Sequence, residues 1–147
     1  MASKAVLFVC NLNAVRSPIA EALAKALYGK RLYVDSAGLE PSERDPFAMS
    51  VLQEIGIDMA EDAPLDLEEA NVGSFDHVIC LTPEAYARVQ DLARGQAVNV
   101  ELWETIDPFA NGVQGNREQR LEAYRNLREE LRRMIELRFG GGEKAAG

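Results

Sequence analysis

Apolar residues fall into two kinds of pattern that alternate along the chain. Lys4 to Val9 is a short, continuously apolar run ending at Cys10, as in a strand buried on both faces of a parallel sheet. Ile19, Ala22, Leu23, Ala26 and Leu27 then recur at helical spacing up to Gly29, which predicts strand, loop and helix in that order. Leu32 to Ser36 reads as a second strand stopped by Ala37-Gly38. Asp45-Pro46 caps a helix whose apolar residues are Met49, Leu52 and Ile55 and which ends at Gly56. Asp62 to Ser74 is acidic and irregular, with one helical turn around Leu67 to Ala70.

Asp76 to Leu81 is a third, strongly apolar strand, and Thr82-Pro83-Glu84 opens a helix running to Leu92. Val98, Val100 and Leu102 alternate within Ala97 to Leu102, the pattern of a half-exposed fourth strand. Leu121, Tyr124, Leu127, Leu131 and Met134 form an apolar stripe amid charges such as Glu129 and Arg133, so a long helix is expected from Asn116 to Phe139. Gly140 to Gly147 is expected to be a flexible tail.

Strands alternating with helices imply right-handed crossovers and an α/β fold with helices on both faces of a parallel sheet. The first and third runs are the most continuously apolar and belong in the centre, while the alternating fourth suits an edge, giving the order 2-1-3-4. Ligands of such sheets bind beyond the carboxyl ends of the strands, at the switch point between the first and third. Cys10, Ser36, Thr82 and Asp107 all fall at or just past those ends.

Length and charge narrow the picture. At 147 residues, with 47% hydrophobic and 27% charged, the chain suits one globular domain spanning 1–147. A net charge of −8 leaves no global field for nucleic acid or an anionic membrane, so an anionic ligand needs a local site. Ala5 to Val9 is too short for a signal-peptide core or a membrane span, and the cytoplasm is the expected location. Two cysteines and one histidine, His77, make neither a disulfide framework nor a transition-metal cage, so no metal or cofactor is expected.

Cys10-Asn11-Leu12-Asn13-Ala14-Val15-Arg16-Ser17-Pro18 puts a thiol and a guanidinium at the two ends of a strand-to-helix loop. Such a loop can wrap so that backbone N–H groups point inward, while the positive end of the following helix faces the same spot. Arg16 adds a planar fork for two phosphate oxygens. The combination binds a phosphoryl dianion and favours a thiolate nucleophile at Cys10. Ser17 either caps the helix or donates its hydroxyl to the thiolate, and Pro18 fits the first helical position.

Attack of sulfur on phosphorus expels an alkoxide or phenoxide, which calls for a general acid. Asp-Pro-Phe-Ala occurs twice. Asp45 leads straight into a helix and is read as its cap. Asp107 runs into the Asn111-Gly112 turn signal and is the better acid. His77, at the start of a buried strand, is read as structural, and Trp103 and Tyr86 as packing residues. Cys80 is read as a small core residue.

These residues resemble the low-molecular-weight protein tyrosine phosphatase family, which also contains the thioredoxin-linked arsenate reductases. The likeness is carried by V-L-F-V-C, R-S-P-I-A-E-A, V-D-S-A-G at Val34 to Gly38, D-P-F-A-M-S-V-L-Q-E-I-G-I-D and the late Asp-Pro. It implies a four-stranded parallel sheet. It also implies Cys10 as nucleophile, Arg16 as phosphate clamp, Asp107 as acid then base, and Asn13, Ser17 and Ser36 as supports of the loop and thiolate. Asn11 to Ser17, with Phe109, would line the phosphate and substrate site. Where the family usually has Gly and a second Cys in the loop, this chain has Leu12 and Val15.

The expected activity is hydrolysis of phosphotyrosine in a protein, or of a small aryl phosphate, through a cysteinyl-phosphate. The alternatives are a phospho-ligand binding module with weak or no catalysis, and an arsenate reductase. Arsenate reduction in the thioredoxin-linked branch needs further cysteines, and beyond Cys80 there are none.

Overall fold

A computed structural model describes residues 4–12, 15–40, 42–59, 64–105 and 116–140. Its elements in chain order are β1 (Lys4–Cys10), α1 (Arg16–Tyr28), β2 (Leu32–Gly38), α2 (Pro46–Gln53), β3 (His77–Cys80), α3 (Pro83–Leu92), β4 (Asn99–Leu102) and α4 (Arg117–Phe139). The four strands form one parallel sheet in the order β2-β1-β3-β4, as the strand compositions predict.

Side chains of β1 alternate between two cores. Val6, Phe8 and Cys10 face α1, α2 and α4, packing with Ile19, Leu23, Leu52, Leu127 and Leu131. Leu7 and Val9 face the other side, with Val78, Cys80, Val89 and Phe75. Burying both faces of β1 and β3 explains why these two runs carry almost no polar residues, and why they are central. His77 and Ile79 of β3 share the α1 side in register with β1, which leaves Val78 and Cys80 on the α3 side.

Several boundaries differ from the sequence expectation. Strand β2 runs on through Ala37 and Gly38, because Gly38 still pairs with Cys10 and its amide donates to the Leu65 carbonyl. Helix α2 stops at Gln53, and Gly56 serves the following turn at φ +76°. Its buried residues are Ala48, Val51 and Leu52, whereas Met49 is exposed. The acidic segment holds two short 3₁₀ turns, Leu67–Glu69 and Val72–Ser74, pinned by buried Leu67 and Val72. Helix α4 starts with a reciprocal capping box between Asn116 and Gln119. Along it Ile135 is buried where Met134 was expected, and Glu129 pairs with Arg128, not with Arg133. Within the tail expected at 140–147, residues 141–147 lie outside the described residues. No helix among the described residues is long and apolar enough to cross a membrane.

Candidate active site

Cys10 ends β1 and is 3% exposed, with its sulfur against the first turn of α1. The Ser17 amide donates to Cys10 Sγ at 3.4 Å, and Ser17 Oγ lies 2.9 Å from the same sulfur. Ser17 Oγ is also 3.3 Å from the Ala37 carbonyl. One hydroxyl proton therefore serves two acceptors. An ionised sulfur takes it; a protonated sulfur can donate to Oγ instead, and the hydroxyl proton then turns to Ala37. The N-terminal end of α1 faces the sulfur as well, so amide, hydroxyl and helix dipole all favour negative charge there.

The expectation that Ser17 caps α1 gives way to this arrangement. Val15 is the N-cap and makes no side-chain cap bond, Arg16 opens the helix, and Pro18 is its third residue. Proline is still accommodated, because first-turn N–H groups have no partner within the helix. Releasing Ser17 from capping is what frees its hydroxyl for sulfur. Arg16, the first residue of α1, is half-buried.

The loop is held from outside by a ladder. Cys10, Asn11 and Leu12 carbonyls accept from the amides of Leu39 (3.1 Å), Glu40 (2.8 Å) and Ser42 (2.8 Å). Thr82, which caps α3 through the Ala85 amide, also donates its hydroxyl to Asn11 Oδ1 at 2.7 Å. Asn11 is thus tied to the end of β3. Leu12 is 47% exposed, an apolar side chain at the rim of the loop. Val15 is buried in the core on the α1 side.

Ser36 lies one layer further in, and its hydroxyl donates to Glu21 Oε1 between β2 and α1. Glu21 is 2% exposed and its other oxygen receives Lys25 Nζ at 2.6 Å. This buried carboxylate, one helical turn after Ser17, was missed by the sequence reading. The i, i+4 spacing of Ser17, Glu21 and Lys25 puts Glu21 one turn from both, but does not show that it is buried against β2.

Asp45 caps α2 as expected, accepting from the Phe47 and Ala48 amides, and also accepts from the Tyr124 hydroxyl at 2.9 Å. Asn13, Ala14, Asp107 and Phe109 lie outside the described residues. Thr105, the last described residue before Asp107, donates to the Leu81 carbonyl at 3.3 Å, at the carboxyl end of β3. His77 stands at the opposite end of the sheet, bonded to Asn99. Burial and the nearby Arg138 hold its pKa below the ordinary value, against Glu101 and Asp76. Trp103 packs edge-on against Phe8, and Tyr86 packs on the α3 side, both as expected. Burial pushes the Cys80 thiol up to about 12. The described residues include no cluster of three or more His, Cys, Asp or Glu able to hold a metal ion.

A cysteine ending the first central strand, with a helix N-terminus and an arginine close behind it, is an arrangement of the α/β class that can hold an anion beside a thiol. The family model described as "Low molecular weight phosphotyrosine protein phosphatase" matches residues 5–137, and the chain belongs to this family. The glutaredoxin arsenate reductase of Synechocystis sp. is 32% identical over 133 residues, covering 90% of this chain and 94% of that protein. A solved arsenate reductase in its phosphate-binding state is 31% identical, with a TM-score of 0.70 and coverage of 90% and 94%. The YwlE arginine phosphatase with a phosphorylated active-site serine is 25% identical, with a TM-score of 0.73 and coverage of 89% and 90%.

Proposed function

We propose that the protein is a cysteine-dependent phosphatase acting on phosphotyrosine in proteins or on small aryl phosphate monoesters. The observation that carries the reading is Ser17 at the head of α1, its amide donating to Cys10 Sγ and its hydroxyl oxygen 2.9 Å from the same sulfur, with Arg16 in the same turn. In this reading the thiolate of Cys10 attacks phosphorus in line. The sulfur–phosphorus bond forms as the phosphorus–oxygen bond to the leaving group breaks, and Asp107 gives that oxygen a proton. Arg16 and amides of the loop from Asn11 through Asn13, Ala14 and Val15 to Ser17 hold the equatorial oxygens. Asp107 then takes a proton from water, which displaces phosphate from sulfur and regenerates Cys10.

Ser36 and Asn13 act as supports, Ser36 through Glu21 on the helix that carries Ser17 and Arg16. Leu12 and Phe109 are the apolar contacts assigned to the aryl group. Work in the cytoplasm on a diffusible substrate is part of this proposal. The test is hydrolysis of p-nitrophenyl phosphate, with vanadate as inhibitor. Cys10→Ser should abolish turnover while keeping phosphate affinity, and turnover retained by that variant overturns the assignment.

The arsenate reductase among the relatives favours a second reading. There Cys10 sulfur would displace one arsenate oxygen as water, and a second thiol would then attack that sulfur, so that a disulfide forms while the electron pair of the breaking sulfur–arsenic bond stays on arsenic and arsenite leaves. Cys80 is on the other face of the sheet, so the second thiol would come from outside, such as glutathione. Arsenite formation that depends on glutathione and glutaredoxin, with no aryl phosphatase turnover, would select this reading.

A further inference from the structure

Arg117 and Arg120 stand in the first turn of α4 over a single aromatic ring. The Arg120 guanidinium is 4.5 Å from the centroid of Phe47 and that of Arg117 is 5.8 Å from it. The half-buried Phe47 ring is backed by Tyr124 at 5.6 Å, whose hydroxyl is fixed on Asp45. Among the described residues no carboxylate pairs with either arginine. The acids nearest in sequence are engaged elsewhere: Glu118 and Glu122 pair with Arg125, which also holds Glu54.

This placement works against stability. A helix N-terminus favours carboxylates and disfavours cations, and here it carries two guanidinium groups in a chain of net charge −8. An anion brought from outside would remove the cost. Asp45 is three residues past Ser42, whose amide holds Leu12, and Arg117 is ten residues past Asp107. The chain that carries Phe47 to the patch therefore comes directly from the segment whose amides hold the loop.

We propose that Arg117, Arg120 and Phe47 form a substrate subsite for carboxylate side chains flanking the phosphorylated residue, so that acidic phosphopeptides are the preferred substrates. This rests on the phosphatase reading above. The guanidinium forks take the carboxylates and the Phe47 ring fixes the forks in position, at less entropic cost than free arginines would pay.

The test compares kcat/KM for two phosphotyrosyl peptides, one with Asp and Glu around the phosphotyrosine and one with Ser and Gln there, in each enzyme form. Wild type should favour the acidic peptide by about tenfold at low salt, two partly exposed ion pairs each contributing a few-fold. The preference should lie in KM and should shrink in ~0.3 M salt. The Arg117→Gln/Arg120→Gln double variant should reduce the ratio to about one. Arg117→Lys/Arg120→Lys should recover part of it, and Arg117→Glu/Arg120→Glu should invert it. Equal rates on the two peptides in wild type, or an unchanged ratio in the Gln variant, overturn the subsite while leaving the phosphatase reading intact. Absence of turnover on both peptides and on p-nitrophenyl phosphate would remove the phosphatase reading and the subsite with it.

Discussion

Cys10 and Cys80, the only two thiols in the chain, project from opposite faces of the sheet. Val9 is the register partner of Cys80, and the alternation of β1 sends Cys10 to the other side. Bridging them would require one strand to turn over within a fully packed core. Peroxide should convert the Cys10 thiolate to a sulfenic acid, transferring one oxygen and releasing hydroxide, with no neighbouring thiol to capture it. The expected mass spectrum after peroxide shows one to three oxygens added to the Cys10 peptide. An intramolecular Cys10–Cys80 disulfide, seen as loss of two hydrogens, would contradict the packing.

Ser17 places both its amide and its hydroxyl against the Cys10 sulfur, and its hydroxyl donates to that sulfur when the sulfur is ionised; Ser17→Ala removes the hydroxyl alone, since the amide remains. A hydrogen bond to a charged group contributes about 1.5–3 kcal/mol, so kcat on p-nitrophenyl phosphate should fall by roughly ten- to a hundredfold. Ser17→Thr keeps the hydroxyl and should retain more activity. A kcat in Ser17→Ala within twofold of wild type would show that amide and helix suffice, and that the hydroxyl serves only the Ala37 carbonyl.

The sheet order and the strand-to-helix placement of Cys10 were legible because burial on both faces leaves an unmistakable apolar run. The role of Ser17 was half legible. Sequence offered capping and thiolate donation as equal options, and only the backbone, which starts α1 at Arg16, decides between them. Glu21 was not read because an acidic residue inside an apolar helix stripe is ordinarily solvent-exposed; its burial follows from Ser36 on β2, a contact between elements that no local pattern encodes. Met49 failed for a related reason. Helix α2 turns Ala48, Val51 and Leu52 inward, and a large apolar side chain one position off that face stays in water.

Asp107 carries the proposed proton transfers, and its Asn variant should discriminate between leaving groups. General-acid assistance matters most where the departing oxygen is most basic. Asp107→Asn should lose about 10²–10⁴ in kcat on phenyl phosphate and less on p-nitrophenyl phosphate, whose phenolate leaves readily. A uniform loss across a series of substituted phenyl phosphates would place Asp107 outside the proton-transfer step.

Acid stability should depend on the junction between the end of α2 and the middle of α4. Arg125 holds Glu54 at 2.7 Å, and Arg128, itself bonded to the Val51 carbonyl, holds it at 2.9 Å. Hydrogen bonds from Arg125 and then Arg128, outweighing desolvation, lower the Glu54 pKa from 4.5 to about 2. A carboxylate with a depressed folded-state pKa binds fewer protons folded than unfolded. Its contribution is complete above 4.5, falls as pH drops through the interval, and is gone below about 2. Glu54→Gln should therefore lower Tm by about 2–4 °C at neutral pH, partial exposure and screening keeping the effect small. That difference should narrow steadily between pH 4.5 and about 2. A Tm difference that stays constant down to the lower limit would mean that Glu54 acts through packing, with no contribution from its charge.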